Sequence, residues 1–251
     1  MLDETNRSYQ TMKRLIPVIA MAILVGGLTS GITADEKAKD GDGGFKALFD
    51  GKSLDGWDGN PKFWSVKEGV ITGQTTKENP TKGNTFLIWR GGKTGDFELR
   101  LKYRIVGGNS GIQYRSEEVD KWVMKGYQAD FDASLNYAGI LYEEKGRGIL
   151  ANRGKKVEID NNGKIKETGN TTPEKKILEA FKKEGWNDYR VVAKGNHLIH
   201  EINGNVTVEI VDNHEAKRKM SGLLALQLHA GPPMVVQFKD IQLKDLAVKK
   251  K

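Results

Sequence analysis

Four histidines, scattered carboxylates and no cysteine are what this chain of 251 residues offers to chemistry. Its most telling arrangement is a polar side chain at every second position of segments that otherwise read as strands. Successive strand side chains point to opposite faces, so Gly111-Ile112-Gln113-Tyr114-Arg115 puts Gln113 and Arg115 on one side. Leu226-Gln227-Leu228-His229 pairs Gln227 with His229 and turns its leucines the other way. Gln128-Ala129-Asp130-Phe131-Asp132 repeats the pattern with one amide and two carboxylates. Three such segments predict a sheet whose polar face binds something polar, such as a sugar.

Each residue has a functional reading and a plainer one. Two carboxylates on one strand face repel unless they meet cations, metal or solvent, which marks Asp130 first and Asp132 second. His229 ends an apolar strand just before Gly231, where a ligand can approach the backbone; the plainer reading bonds it to a neighbouring carbonyl. His200 could share that face, whereas His197 and His214 sit in turn-rich sequence and read as solvated. Glu143 and Glu144 close the strand-like run Ala138–Tyr142, and one of them is expected on the same surface. Arg115 could fork to a carboxylate or to sugar oxygens, or form a structural ion pair with Asp130. Trp122, Tyr127 and Tyr142 are either stacking platforms or core aromatics. The chain carries no Gly-x-Ser-x-Gly elbow, Walker loop, His-Glu-x-x-His or zinc-spaced histidine pair.

The elements that must position these groups are mostly short strands. Trp64–Lys67 turns through Glu68-Gly69 into Val70–Thr72. Phe97–Ile105 alternates strictly, with Phe97, Leu99, Leu101, Tyr103 and Ile105 on one face and charges on the other. Tyr189–Ala193 leads through Gly195-Asn196 into His197–Ile202, and Asn203-Gly204 is a strong hairpin signal before Val206–Ile210. Leu223–Leu228 and Val235–Leu243 close the series around Gly231-Pro232-Pro233. Helical periodicity is confined to Pro173–Glu184, with Ile177, Leu178 and Phe181 on one side. Many short strands with glycine turns, no repeat and no second domain predict an all-β sandwich.

Composition narrows the setting. Lys13-Arg14 precedes an apolar run from Leu15 to Leu28 and a small-residue exit ending at Ala34, the pattern of a secretory signal peptide over residues 1–34. Residues 35–44 read as a flexible linker, residues 45–247 as the domain, and 248–251 as a basic tail. The expected location is therefore periplasmic or secreted, with no stable membrane insertion once the leader is removed. Lacking cysteine, the chain has no disulfide or thiolate metal site and relies on its core. The net charge of +7 sits on lysines interleaved with acids, without a nucleic-acid motif, and reads as a solvated surface.

Several of these segments also match a known family, in order along the chain. Phe45–Trp57 (FKALFDGKSLDGW), Asn109–Arg115 (NSGIQYR), Gly126–Asp130 (GYQAD), Gly139–Glu143 (GILYE), Trp186–Tyr189 (WNDY), Asn203-Gly204, Leu226–His229 and Val236–Ile241 resemble the 3-keto-disaccharide hydrolase domain family. The resemblance implies a concanavalin-like or laminarinase-like jelly roll, two curved antiparallel sheets with a ligand on the concave face and at most one or two short helices. It also implies secreted enzymes acting on sugars oxidised at C3, or more loosely on glycosides. Gln128 stands where many relatives carry glutamate, which removes one carboxylate from any two-carboxylate mechanism.

A ketone at C3 acidifies the C2 proton, so the group on C1 can leave by elimination and water can add back. That route needs a base, a stabiliser for the enolate oxygen and an acid, not the paired carboxylates of direct glycoside hydrolysis. His229 or Asp130 is expected as base, Arg115 as clamp and Glu143 as acid. Asn109, Gln113, Gln128, Gln227 and Tyr142 are expected to bind the sugar. A divalent cation held by His229 with Asp130 or Glu143 would be a different electrophile. A non-catalytic carbohydrate-binding module of the same fold is the competing expectation.

Overall fold

The computed structural model describes residues 43–247. The expected signal peptide, most of the linker and the basic tail lie outside the described residues. Two short strands, β1 (Lys46–Ala47) and β2 (Trp57–Asp58), precede the hairpin β3 (Trp64–Lys67) and β4 (Val70–Gln74). That hairpin turns on Glu68 and Gly69 at φ 51° and 75°, the left-handed pair that matches the twist of two antiparallel strands. Then come β5 (Thr85–Trp89), β6 (Phe97–Val106), β7 (Asn109–Asp120), β8 (Val123–Asp132), β9 (Leu141–Glu144) and β10 (Gly148–Ala151). The chain continues with β11 (Lys155–Ile159), β12 (Ile165–Asn170), the helix α1 (Glu174–Glu179), β13 (Asn187–Lys194), β14 (His197–Ile202) and β15 (Asn205–Asp212). It closes with β16 (Leu223–Leu228) and β17 (Val235–Asp245).

These strands form two sheets. The larger runs β12-β11-β15-β14-β13-β6-β17-β4-β3, with β1 beside β17, and the seven-stranded one runs β10-β9-β8-β7-β16-β5-β2. Named pairs are antiparallel except β11 with β15, which is parallel. The hydrophobic core lies between the sheets, where Leu99, Leu101 and Tyr103 of β6 meet Ile112, Tyr127, Phe131 and Leu226. Tyr103 and Phe131 pack with ring centroids 3.9 Å apart. The alternation in β6 is explained by this burial, since its charged positions face outward and Glu98 pairs with Arg190 at 2.7 Å. The all-β jelly-roll expectation therefore holds.

Two local readings change. The helix is six residues long, because Pro173 precedes it and it ends at Glu179. Residues 138–140 lie outside any strand, and Tyr137 to Ile140 form a turn in which the Ile140 N–H donates to the Tyr137 carbonyl. Strand β5 has no alternation because it is buried along its whole length. On the face away from the core, Phe86 and Ile88 join Met124 and Ala225 in a small second cluster, against which Trp122 and Leu223 pack. Among the described residues no helix is long and apolar enough to cross a membrane.

Candidate functional site

The outer face of the seven-stranded sheet is built from every second residue of four neighbouring strands. In register, Gly111 of β7 lies opposite Asp130 of β8, and Gln113 opposite Gln128. Gln128 in turn lies opposite Tyr142 of β9, and Gln113 opposite Ala225 of β16. Alternation then brings Gln227 to the same face, and His229 just past the strand end. The hollow they enclose has a volume of about 480 Å³ and is lined by Asn109, Gln128, Asp130, Tyr142, Gln227 and His229. Asn84, Tyr137, Ile140, Glu144 and Ile149 complete its wall.

A chain of hydrogen bonds runs beneath the hollow. The Ser116 hydroxyl donates to Gln113 Oε1 at 2.5 Å, Gln113 Nε2 donates to Gln128 Oε1 at 2.7 Å, and Gln128 Nε2 donates to Asp130 Oδ1 at 2.6 Å. Each donor points toward the carboxyl group, so the chain has one direction. A second arm reaches Glu144: Gln227 Nε2 and Asn84 Nδ2 donate to Glu144 Oε2 at 3.3 and 3.4 Å. Gly111 makes the first arm possible. A Cβ there would sit 2.6 Å from Gln128 Cγ and 2.9 Å from Asp130 Oδ1, so only a residue without a side chain lets the amide lie across β7.

Burial dominates the electrostatics of both acids. Asp130 is 6% exposed, and desolvation of its charged form pushes its pKa up to about 8. Bonds from Gln128 and Asn109 oppose that rise, and the charges of Asp132 and Glu144 reinforce it. Glu144 is also raised, chiefly by desolvation and against bonding from Asn84 and the charges of Lys145 and His229. His229 Nδ1 lies 2.5 Å from the Ala230 carbonyl oxygen. A carbonyl can only accept, so the proton belongs on Nδ1, which leaves the Nε2 lone pair available in the neutral ring.

Six of the nine residues selected from the sequence line this hollow, and Gln113 lies directly beneath it as a support for Gln128. Arg115 and Glu143 lie elsewhere. Strand β7 shifts register between Tyr114 and Glu117, and Arg115 sits at φ 47°. This bulge turns its guanidinium away from the Gln113 face, toward the carbonyls of Gly95 and Gly195 at 2.9 and 2.6 Å and Asp96 at 3.0 Å. Alternation along β9 buries Glu143 on the inner side, where Arg147 Nε donates to it at 2.6 Å. Glu144 is the acid that enters the hollow. Asp132 accepts the Asn136 and Tyr137 N–H groups at 3.1 and 2.9 Å and so shapes the turn that carries Tyr137.

Other candidates resolve as structural. His200 is fully buried beside the Tyr114 hydroxyl at 3.0 Å, and desolvation lowers its pKa to about 3, so it is a neutral core residue. Tyr127 is in the core and donates to Asp212 at 2.6 Å. Trp122 belongs to the apolar cluster and donates to Asp58 at 2.8 Å. Because Glu143 faces inward, it does not join His229 and Asp130 as a ligand set, and among the described residues no three His, Asp or Glu side chains gather as a metal site. Asn84, Tyr137, Ile140 and Ile149 were missed from sequence because they come from a loop, a turn and an edge strand without periodicity.

Two layered sheets with an amide- and acid-lined hollow on one outer face, rimmed by tyrosines, define an all-β jelly-roll protein. A family model described as 3-keto-alpha-glucoside-1,2-lyase-like domain matches residues 44–244. The chain belongs to that family. A 3-keto-disaccharide hydrolase of Bacteroides thetaiotaomicron is 35% identical over 88 residues, which cover 30% of this chain and 29% of that protein. Among solved structures, a protein provisionally assigned as a glycosyl hydrolase from Parabacteroides distasonis superposes with a TM-score of 0.53 at 22% identity, over 80% of this chain and 99% of that one. A carbohydrate-binding module of Bacillus subtilis gives 0.51 at 13% identity, over 76% of this chain and 96% of its own. At these identities the two structures establish the shared fold.

Proposed function

We propose that this protein is a secreted enzyme that cleaves 3-keto-glycosides by elimination, with water adding back where the net outcome is hydrolysis. The observation that carries the reading is the convergence of His229, Asp130 and Glu144 with four side-chain amides in one hollow. His229 Nε2 takes the C2 proton. The electron pair moves through C2–C3 onto the ketone oxygen, where Asp130, held protonated near neutral pH by burial, donates a hydrogen bond to the enolate. A neutral carboxylic acid serving as a donor needs just such a raised pKa. The enolate then re-forms the ketone as the C1–O bond breaks, and Glu144, also raised by burial, delivers a proton to the departing oxygen. Carbon–carbon unsaturation between C1 and C2 remains, and water can add across it.

Asn109, Gln128 and Gln227 would hold the ring hydroxyls, and Tyr142 and Tyr137 would cover an apolar sugar face. Secretion is supported by the basic pair Lys13-Arg14 and the apolar run after it; fractionation of cells expressing the full chain tests it. The enzymatic reading is tested by incubating purified protein with 3-keto-trehalose and measuring release of free sugar. Turnover that disappears in His229→Ala is expected. Binding of the sugar without any turnover would favour the second reading, a non-catalytic carbohydrate-binding module, to which the tyrosine rim and the fold shared with such a module lend support.

A further inference from the structure

We infer that the substrate's leaving group occupies a second hollow adjoining the first, and that this hollow selects an apolar aglycone over a second sugar. The inference rests on reading the first hollow as the enzyme's site. The second hollow has a volume of about 500 Å³ and shares Asn109, Tyr137 and His229 with the first. The shared residues lie where the two spaces meet, so a sugar held over Asp130 with its C1 oxygen between Glu144 and His229 would direct its substituent past His229 into the second space.

The two linings differ in kind. Where the first offers amides and acids, the second is walled by Gly107, Gly108, Ala133, Pro232 and Met234. Gly108 lies against Met234 so closely that a Cβ would come within 2.7 Å of Sδ, and its φ of +66° disfavours any side chain. Of its polar groups, Asp132 is already engaged, accepting two backbone N–H groups and the Ser134 hydroxyl, which leaves Asn109, Tyr137 and His229 at the shared rim as side-chain partners. A hexose entering here would leave several hydroxyls without partners, which costs binding. An aromatic or alkyl group would instead remove apolar surface from water at both partners.

The test compares methyl, benzyl and glucosyl 3-keto-α-glucosides, the last as 3-keto-trehalose, on the purified full chain. Benzyl alcohol holds its proton more tightly than a sugar hydroxyl, so it is intrinsically the poorer leaving group and a preference for it reports contacts. The expected kcat/KM for the benzyl substrate exceeds that for the disaccharide by about tenfold, the ratio that corresponds to about 1.4 kcal/mol. Filling the hollow with Ala133→Leu should lower the benzyl-to-methyl ratio of kcat/KM by about tenfold, again near 1.4 kcal/mol. Ser134→Leu, at an exposed position, provides the same reading should the first variant not fold. A disaccharide cleaved as fast as the benzyl compound, or a ratio unmoved by both variants, overturns the inference. Failure to turn over any of the three substrates instead overturns the assignment of the first hollow.

Discussion

Asp130, His229 and Glu144 make different predictions because their protons are held for different reasons. With Asp130 near 8, a donor role requires activity to fall as pH rises through about 8 and the carboxyl ionises. Asp130→Asn keeps a donor of similar size. It should lower kcat by about 10- to 100-fold, less than the loss of about 100- to 1000-fold on removing an oxyanion donor outright, and should remove the alkaline limb of the kcat–pH profile. A profile that instead rises through pH 8 would make Asp130 the base. Ser116 offers a subtler probe, since it starts the chain through Gln113 and Gln128 without touching the hollow. Ser116→Ala should move the alkaline limb while leaving the lining intact, measured by the same profile. The pattern of alternating polar residues made Gln113, Gln128, Asp130, Gln227 and His229 visible in the sequence. It could not separate Glu143 from Glu144, because the facing of a four-residue strand depends on where pairing begins.

At the level of elements, the hollow depends on a clasp between β9–β10 and the end of β15. Arg147 bonds Glu143 at 2.6 Å and Asp212 at 2.7 Å, with Tyr127 donating to the same aspartate. Burial opposes ionisation of Asp212, yet bonds from Arg147 and Tyr127 outweigh it and its pKa ends below the ordinary value. Arg147→Leu leaves two buried carboxylates without their cation and should cost about 3–5 kcal/mol in denaturant unfolding. It should also loosen the edge that carries Tyr142, Glu144 and Ile149. Gly111→Ala acts from the floor: its Cβ collides with Gln128 and Asp130, with an expected loss of about 1–3 kcal/mol and of sugar affinity measured by calorimetry. Strands with strict alternation or an Asn-Gly turn, such as β6 and β14–β15, were readable from the chain. The bulge at Arg115 was not, since it follows from pairing between distant strands and no local residue type announces it.

For the whole molecule, one proton links the hollow to stability. Asp130 has a folded pKa of about 8 against an ordinary value of 3.8, so between those pH values the folded chain holds a proton that the unfolded chain has released. Stability from this group is therefore full below about pH 4, declines as pH rises, and reaches its minimum above about 8. Denaturation midpoints should fall from pH 6 to pH 9, and Asp130→Asn should flatten that slope; an unchanged slope would remove Asp130 as its source. The sandwich and its family were legible because core alternation and turn dipeptides recur along the chain. The joined hollows were not, because residues as far apart as Asn84, Tyr137 and Met234 meet only after both sheets have formed. The small cluster of Phe86, Ile88, Met124 and Ala225 beside Trp122 has a consequence of its own. Phe86 lies opposite Gln227 in register, so on that side the amide-lined floor gives way to apolar side chains that offer a sugar hydroxyl no partner.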